Sequence, residues 1–172
     1  MSNWSGLRLG LPLAALIVVL DQLSKWWIVE VVMQPPRVIP VLPFFNIVMG
    51  WNRGVSFGLF NEKSVLSQWF LPVLALVIVA ALVVWLYRSE HRYTAVALGL
   101  VIGGALGNVI DRLHYGAVAD FLDVHAFGYH WPAFNVADSA ITVGAVMLVL
   151  ESLFGGAEKN NNKKAAKRTG GG

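Results

Sequence analysis

Four long apolar stretches, separated by more polar connections, dominate the hydrophobicity pattern of this chain. The clearest runs from Trp69 to Tyr87 without a charged residue, and the others cover about residues 8–31, 93–111 and 135–154. A helix needs roughly 20 apolar residues to cross about 30 Å of hydrocarbon. The pattern therefore predicts an all-α membrane protein with four transmembrane helices, contained in a single domain of residues 1–155.

The two longer connections have a different character from the spans. Residues 33–67 are rich in β-branched and aromatic side chains, and Pro36, Pro40 and Pro43 argue against helix there and confine strands to sheet edges. Together with residues 113–133, this segment predicts a small, outward-facing, strand-rich cap. Residues 156–172 are rich in Gly, Asn, Lys and Ala and predict a disordered basic tail.

The composition of the 172 residues excludes several classes of protein. Hydrophobic residues make up 56% of the chain and charged residues 13%, and the mean hydropathy is +0.62. Soluble domains carry roughly 45–50% apolar and about 25% charged residues, so a water-soluble globule and a disordered chain are both poor interpretations. The absence of cysteine excludes disulfides, thiolate nucleophiles and Cys-ligated metals.

The formal net charge of +3 belongs to the tail. Five of the 13 basic residues lie in the last fourteen positions, and without them the balance is 8 − 10 = −2. No basic, aromatic-interleaved face for nucleic acid remains. The five residues are Lys159, Lys163, Lys164, Lys167 and Arg168.

The distribution of Lys and Arg also predicts the orientation in the membrane, because short cytoplasmic loops carry an excess of both. The connection from Arg88 to Arg92 and the tail hold seven basic residues, whereas the longer connections hold only Arg37, Arg53, Lys63 and Arg112. Both termini are therefore predicted to be cytoplasmic, with the cap on the outer surface.

The first apolar segment has a second interpretation as a cleaved secretory signal. No small-x-small cleavage site follows it, and the apolar character resumes after Lys25. These features favour a retained helix.

Ionisable residues inside the spans are expensive in lipid, so each needs a partner or a function. Asp21 and Lys25 lie four apart on one helix face and can pair, either only to orient the helix or as part of a site. Other polar residues cluster at the outward end of the third helix and at the start of the fourth: Asn108, Asp111, Arg112, Asn135 and Asp138.

The predicted topology brings five carboxylates to the same outer membrane level: Asp21, Asp111, Asp120, Asp123 and Asp138. Two carboxylates in contact near a low-dielectric boundary can share one proton. The ionised member can then take a proton from water while the protonated member donates to a carbonyl oxygen. No Ser/His/Asp constellation, zinc-binding helix or phosphate loop is evident, so an enzyme would use an aspartic mechanism without a cofactor.

The histidines and glycines nearby have simpler interpretations. His114, His125 and His130 could hold a metal with the aspartates, but their spacings match no zinc signature, and no metal is predicted. Gly99, Gly103, Gly107 and Gly144 are predicted to let neighbouring helices approach. Gly103 and Gly104 lie one turn below Asn108, where they either serve packing or open bare backbone to a ligand.

Five segments resemble, in this order, the motif blocks of the signal peptidase II family, the bacterial lipoprotein signal peptidases. The resemblance covers roughly Asp21 to Leu150. The segments are Asp21–Lys25, Asn52–Phe57, Gly103–Arg112, Val118–Phe121 and Phe134–Asp138.

The resemblance implies an intramembrane aspartic peptidase whose catalytic residues are Asp120 and Asp138. By motif, the supporting or substrate-binding residues are Asp21, Lys25, Asn52, Gly54, Gly104, Asn108, Asp111, Arg112 and Asn135. Asp123 lies outside the blocks and is interpreted as a surface charge. The dipole of the fourth helix favours ionised Asp138 as the general base, with Asp120 holding the proton.

For Arg112, two roles remain open: an ion pair with Asp111, or positioning of the substrate backbone. The amides of Asn52, Asn108 and Asn135 are available to the extended peptide and to the aspartates.

The family removes signal peptides from diacylglyceryl-modified prolipoproteins, cutting just before the lipidated cysteine, and it is inhibited by globomycin. The resemblance therefore implies a protein of the bacterial cytoplasmic (inner) membrane, in contact with membrane lipid, with its active site at the outer leaflet surface. We expect it to be a monomer. Two rival classes are a small proton-coupled transporter, which would distribute polar residues through the membrane depth, and a non-enzymatic membrane scaffold.

Overall fold

A computed structural model describes residues 4–54 and 65–169 of the chain. Four long helices and a small antiparallel sheet make up the structure. In chain order the elements are α1 (Trp4–Trp27), continued by a π-helical turn (Ile28–Val32), β1 (Ile39–Leu42), β2 (Phe45–Asn52), α2 (Val65–Arg88), α3 (Arg92–Tyr115), β3 (Val118–Ala126), β4 (Tyr129–His130) and α4 (Val136–Thr169).

The four helices confirm the predicted fold class. Each contains a stretch long and apolar enough to cross a membrane: Ser5–Val32, Trp69–Arg88, Arg92–Tyr115 and Val136–Phe154. In α3, 56% of the most apolar window is buried inside the protein, but in the other three helices only 17–22% is. Because these three helices direct most of their apolar side chains outward, the chain is a multi-pass membrane protein.

Helix α3 is the centre of the bundle and packs against the three other helices. Small residues permit the close approach, as predicted. A Cβ on Gly103 would collide with Ala14 of α1, and one on Gly107 would lie 2.5 Å from an oxygen of the Asp21 carboxylate. Such contact between backbones supplies the dispersion energy that holds helices together in lipid.

The sheet confirms the predicted strand-rich cap. Its order is β1-β2-β3-β4, with every neighbouring pair antiparallel. Helix α3 ends at Gly116, whose φ of +72° and hydrogen bond to Arg112 O, 3.1 Å, form a left-handed cap before the chain enters β3. Since β3 starts where α3 ends, the strand that carries Asp120 is joined directly to the end of α3. The part of the predicted cap at residues 55–64 lies outside the described residues.

Helix α4 continues past the apolar span to Thr169. The sequence predicts a disordered tail from residue 156, so the structure differs from this prediction. The physical reason is compositional: residues 157–169 contain no proline and include Ala, Glu, Lys and Arg, which have high helix propensity.

Candidate active site

Four of the five predicted carboxylates meet at the end of the helix bundle that adjoins the sheet, and Asp123 does not join them. We call this group the polar cluster. It consists of Asp21, Gln22 and Lys25 from α1, Asn108 and Asp111 from α3, Asp120 from β3, and Asn135 and Asp138 at the start of α4.

Lys25 lies at the centre of the polar cluster and is only 2% exposed. Its Nζ is 2.8 Å from Asp21 Oδ2 and 2.9 Å from Asp111 Oδ2, and it donates to Asn108 Oδ1 at 3.1 Å. An ammonium group has three N–H donors, and each has an acceptor here. The predicted Asp21–Lys25 pair is therefore present, but it belongs to a larger network.

The two buried carboxylates beside Lys25 hold the backbone next to the two predicted catalytic residues. Asp21 Oδ1 accepts the Ala137 N–H at 2.9 Å, one residue before Asp138. Asp111 Oδ2 accepts the Ala119 N–H at 3.0 Å, one residue before Asp120. Both carboxylates are fully buried, so neither is accessible to substrate.

Gln22 completes this network and is a residue that sequence reasoning missed. Its Nε2 donates to Asp111 Oδ1 at 2.9 Å and lies 3.2 Å from both Asp21 Oδ2 and Gly107 O. The signal was available in the sequence, because Gln22 is a polar residue beside Asp21 inside an apolar helix.

Asn108 connects Lys25 to Asp138. Because Lys25 can only donate, it faces the carbonyl oxygen of the Asn108 amide, and this leaves the NH₂ group pointing the other way. Asn108 Nδ2 donates to Asp138 Oδ1 at 2.8 Å. Lys25 therefore determines which end of this amide reaches the half-buried Asp138 carboxylate.

Asn135 connects the two predicted catalytic aspartates. Its Oδ1 accepts the Asp138 N–H at 2.9 Å, which makes it the N-cap of α4. Its Nδ2 donates to Asp120 Oδ1 at 2.7 Å. The preceding residue, Phe134, pairs with Leu122 beside Asp120 on β3, so the sheet carries Asn135 to this position.

The two carboxylates have different environments. Asp120 is 4% exposed. Burial raises the pKa of its carboxyl above the ordinary value and the nearby Asp138 carboxylate adds to the rise, whereas hydrogen bonds from Asn52 and Asn135 oppose it. Asp138 lies in the first turn of α4, where the helix dipole favours negative charge. The environment of Asp120 therefore favours its protonated form.

Arg112 lies beside these carboxylates but pairs with none of them. Among the described residues it makes no ion pair, and its one hydrogen bond runs from Nη1 to Asn108 O at 3.4 Å. Its Nε is buried without a partner. Of the two roles left open for Arg112, the ion pair with Asp111 is therefore wrong. The Asp111 carboxylate instead pairs with Lys25 and accepts a hydrogen bond from Gln22.

The remaining predicted site residues have separate positions. The Asn52 side chain, at the end of β2, bonds Asp120, and its Oδ1 accepts the Gly54 N–H at 2.9 Å. Gly54 has a φ of +86° and lies against Leu71 of α2. Both the left-handed backbone and the close contact require a residue without a side chain. Gly104 is buried against the backbone of Ala137. Helix α4 occupies the space that a ligand at Gly104 would need, so Gly104 packs α3 against α4.

The interpretation of Asp123 as a surface charge is wrong. Asp123 is only 6% exposed. Asn46 Nδ2 donates to its Oδ2 at 2.9 Å, and His130 Nδ1 lies 2.9 Å from both of its oxygens. The hydrogen bond with His130 holds the pKa of Asp123 below its ordinary value, and that with Asn46 adds to the effect. Asn46 and Asp123 are cross-strand partners, a pairing the sequence could not reveal.

Comparison with known proteins shows the family of this chain. The sequence model of the signal peptidase (SPase) II family matches residues 13–154. A lipoprotein signal peptidase of Methylorubrum extorquens (strain PA1) is 49% identical over 150 residues, covering 85% of this chain and 86% of that protein. One from Alteromonas mediterranea is 39% identical over 168 residues, covering 96% and 91%.

A solved structure has the same fold. It is described as a bacterial membrane enzyme studied by the in meso method at 1.9 Å resolution, and it aligns with a TM-score of 0.74 and 33% sequence identity, covering 84% of this chain and 92% of the other. The structure thus places two carboxylates, each bonded by an asparagine amide, at one end of a four-helix membrane bundle. The family's sequence model matches most of the same chain. The chain belongs to the signal peptidase II family and is a membrane-embedded peptidase.

Proposed function

We propose that this chain is an aspartic endopeptidase that cleaves the signal peptide from diacylglyceryl-modified prolipoproteins just before the lipidated cysteine. The observation that carries the proposal is the arrangement of Asp120 and Asp138. Each accepts an asparagine N–H, Asp120 is buried with a raised pKa, and Asp138 lies in the first turn of α4. Relatives named lipoprotein signal peptidase support the choice of substrate class.

In the proposed reaction Asp138 is the general base. It takes a proton from water as the oxygen attacks the scissile carbonyl carbon, while the Asp120 carboxyl donates its proton to the carbonyl oxygen. As the C–N bond of the tetrahedral intermediate breaks, the proton on Asp138 passes to the leaving nitrogen. Asp120 regains a proton from an intermediate hydroxyl, and the carboxylic acid product forms. The dyad titrates as a coupled unit, so its apparent pKa values belong to the pair.

Arg112 and Asn52 are the groups proposed to hold the peptide. Arg112 has guanidinium donors without partners among the described residues, and peptide carbonyls would satisfy them. Asn52 is exposed at the end of β2, beside Asp120. An extended peptide bound by both would present one carbonyl to the dyad, and an inhibitor of the globomycin type would compete at this position.

The proposed location is the outer surface of the bacterial cytoplasmic membrane, with both termini in the cytoplasm. The basic connection from Arg88 to Arg92 supports this orientation. At this level the acyl chains of a lipidated substrate stay in the bilayer while water reaches the dyad. The polar cluster also argues against a proton-coupled transporter, because its members gather at one end of the bundle.

Cleavage of a synthetic lipidated prolipoprotein by the purified protein in detergent tests the proposal. Asp120→Asn and Asp138→Asn should each lower kcat by about 10²–10⁴-fold, the usual contribution of a positioned acid or base. The double variant should lose little more than either single one, because the two residues act as a unit.

Asp123→Asn is the matched control. It removes a buried carboxylate three residues from Asp120 on the same strand, outside the polar cluster. This variant should keep the parent's kcat. Full activity in both dyad variants, or an equal loss in Asp123→Asn, would contradict the assignment.

A further inference from the structure

A cavity of about 550 Å³ lies at the opposite end of the bundle from the polar cluster. It is formed between the start of α1 and the connection from α2 to α3. Arg8, His91, Arg92 and Glu90 supply its charged and polar wall, and Leu9 and Ala95 its apolar wall. None of these residues has a part in the proposed peptidase reaction.

The cavity lies at the depth of the lipid headgroups. The spans of α1 and α3 begin at Ser5 and Arg92, and that of α2 ends at Arg88. Residues at these positions mark the boundary between hydrocarbon and the polar headgroup region. A cavity at this depth is adjacent to lipid phosphates.

Within the described part of the chain, the two arginines of the cavity have no ion-pair partner that would compete with a ligand. Among the described residues, Arg8 and Arg92 are exposed and make no ion pair, although Glu90 lines the same cavity. By contrast, both acidic partners of Lys25 at the other end of the bundle are within 2.9 Å of it. Guanidinium groups are opposite in charge to a phosphate diester, and their N–H donors suit its oxygen acceptors.

We propose that this cavity binds an anionic phospholipid, with the phosphate between Arg8 and Arg92 and an acyl chain against Leu9 and Ala95. The first N–H groups of α3 add donors on the same side, since a helix N-terminus leaves them without intrahelical acceptors. Basic pockets between transmembrane helices commonly recognise lipid headgroups in this way. The bound lipid would hold the start of α1 to the α2–α3 connection.

Thermal unfolding of the purified full-length chain in detergent tests this binding independently of peptidase activity. The probes are dioleoyl phosphatidylglycerol, dioleoyl phosphatidylcholine with the same acyl chains, and inorganic phosphate. A ligand that binds only the folded protein raises the unfolding midpoint with its concentration. We expect this rise with phosphatidylglycerol alone.

The variant Arg8→Gln/Arg92→Gln should need about tenfold more phosphatidylglycerol for a half-maximal shift, because it loses two solvent-exposed charge contacts, which are weaker than buried ones. Both side chains are exposed, so the substitutions cost little stability themselves. Arg88→Gln is the matched control, since Arg88 is an exposed cation two residues from the cavity wall that does not line it. It should respond as the parent does.

Glu90→Gln provides a test in the opposite direction, because it removes a carboxylate from the cavity wall. It should lower the phosphatidylglycerol concentration needed for half the shift. Equal losses in Arg8→Gln/Arg92→Gln and Arg88→Gln would indicate general surface attraction and overturn the site. A matching shift with phosphatidylcholine or inorganic phosphate, or weaker binding by Glu90→Gln, would overturn it as well.

Discussion

Asparagine side chains set the hydrogen-bond environment of both proposed catalytic carboxylates. Asn108 donates to Asp138, Asn135 donates to Asp120, and Asn52 also bonds Asp120. A donor to a carboxylate stabilises its ionised form and lowers the pKa. For Asp120 burial outweighs these bonds, so its pKa is raised. The two asparagines therefore keep the pKa of Asp120 lower than burial alone would make it, so Asp120 loses its proton at a lower pH than it would without them.

Replacing Asn52 by Ala should move the alkaline limb of kcat/KM to higher pH. The substitution removes a bond that favours ionised Asp120, so the pKa rises and the protonated, active form persists further. A hydrogen bond contributes roughly 0.5–1.5 kcal/mol and one pKa unit is about 1.4 kcal/mol, which gives a shift of about 0.4–1 unit. Rates measured from about pH 5 to 10 in detergent would detect it.

Asn46→Ala is the control for this profile, because Asn46 lies on the same strand as Asn52 but bonds Asp123. It should leave the alkaline limb in place. A limb that moves to lower pH in Asn52→Ala would show that Asp120 does not act as the proton donor.

At the scale of elements, the close contact of α1 with α3 allows the Asp21–Lys25–Asp111 group to form. Gly107 faces the Asp21 carboxylate directly, and Asp21 in turn holds the first turn of α4 through Ala137. The position of Asp138 thus depends on the separation of two other helices. Gly144, near the middle of the α4 span, lies against Ala97 of α3 and has no link to the polar cluster.

Gly107→Ala and Gly144→Ala should separate packing from catalysis. Both introduce a methyl group into a filled helix contact, which typically costs about 1–3 kcal/mol, so both should lower the unfolding midpoint. Only Gly107→Ala displaces Asp21, so only it should lower kcat at a temperature where both variants remain folded. Equal kcat values for the two variants would show that Asp21 does not position the dyad.

At the scale of the whole molecule, the two ends of the bundle differ in chemistry. One end carries the sheet and the polar cluster, and the other carries a cavity lined by Arg8 and Arg92, with Arg88 nearby. If the positive-inside rule holds for this chain, the arginine end faces the cytoplasm and the polar cluster faces outward.

Labelling of single cysteines tests that orientation, since the chain has no native cysteine. Glu90 and Tyr129 are exposed at opposite ends of the bundle. In spheroplasts, a membrane-impermeant maleimide should label Tyr129→Cys, and it should label Glu90→Cys only after permeabilisation. Labelling of Glu90→Cys in sealed spheroplasts would mean that the orientation is inverted.

The sequence by itself determined the membrane class, the four helices, the strand-rich cap and the residue types of the site. These follow from local quantities, because apolar length decides whether a helix can span and a polar residue in lipid needs a partner. The pairing of Asp21 with Lys25 could also be predicted, since four residues separate neighbours on one helix face.

Only the tertiary structure decided which partner each polar group takes. Asp111 pairs with Lys25 of another helix and not with adjacent Arg112, Asp123 is buried against Asn46 of another strand, and Gly104 faces α4. Each choice depends on distances between segments far apart in the chain. In a buried network every donor must find an acceptor, and the packed helices and the sheet register set which acceptors lie within reach.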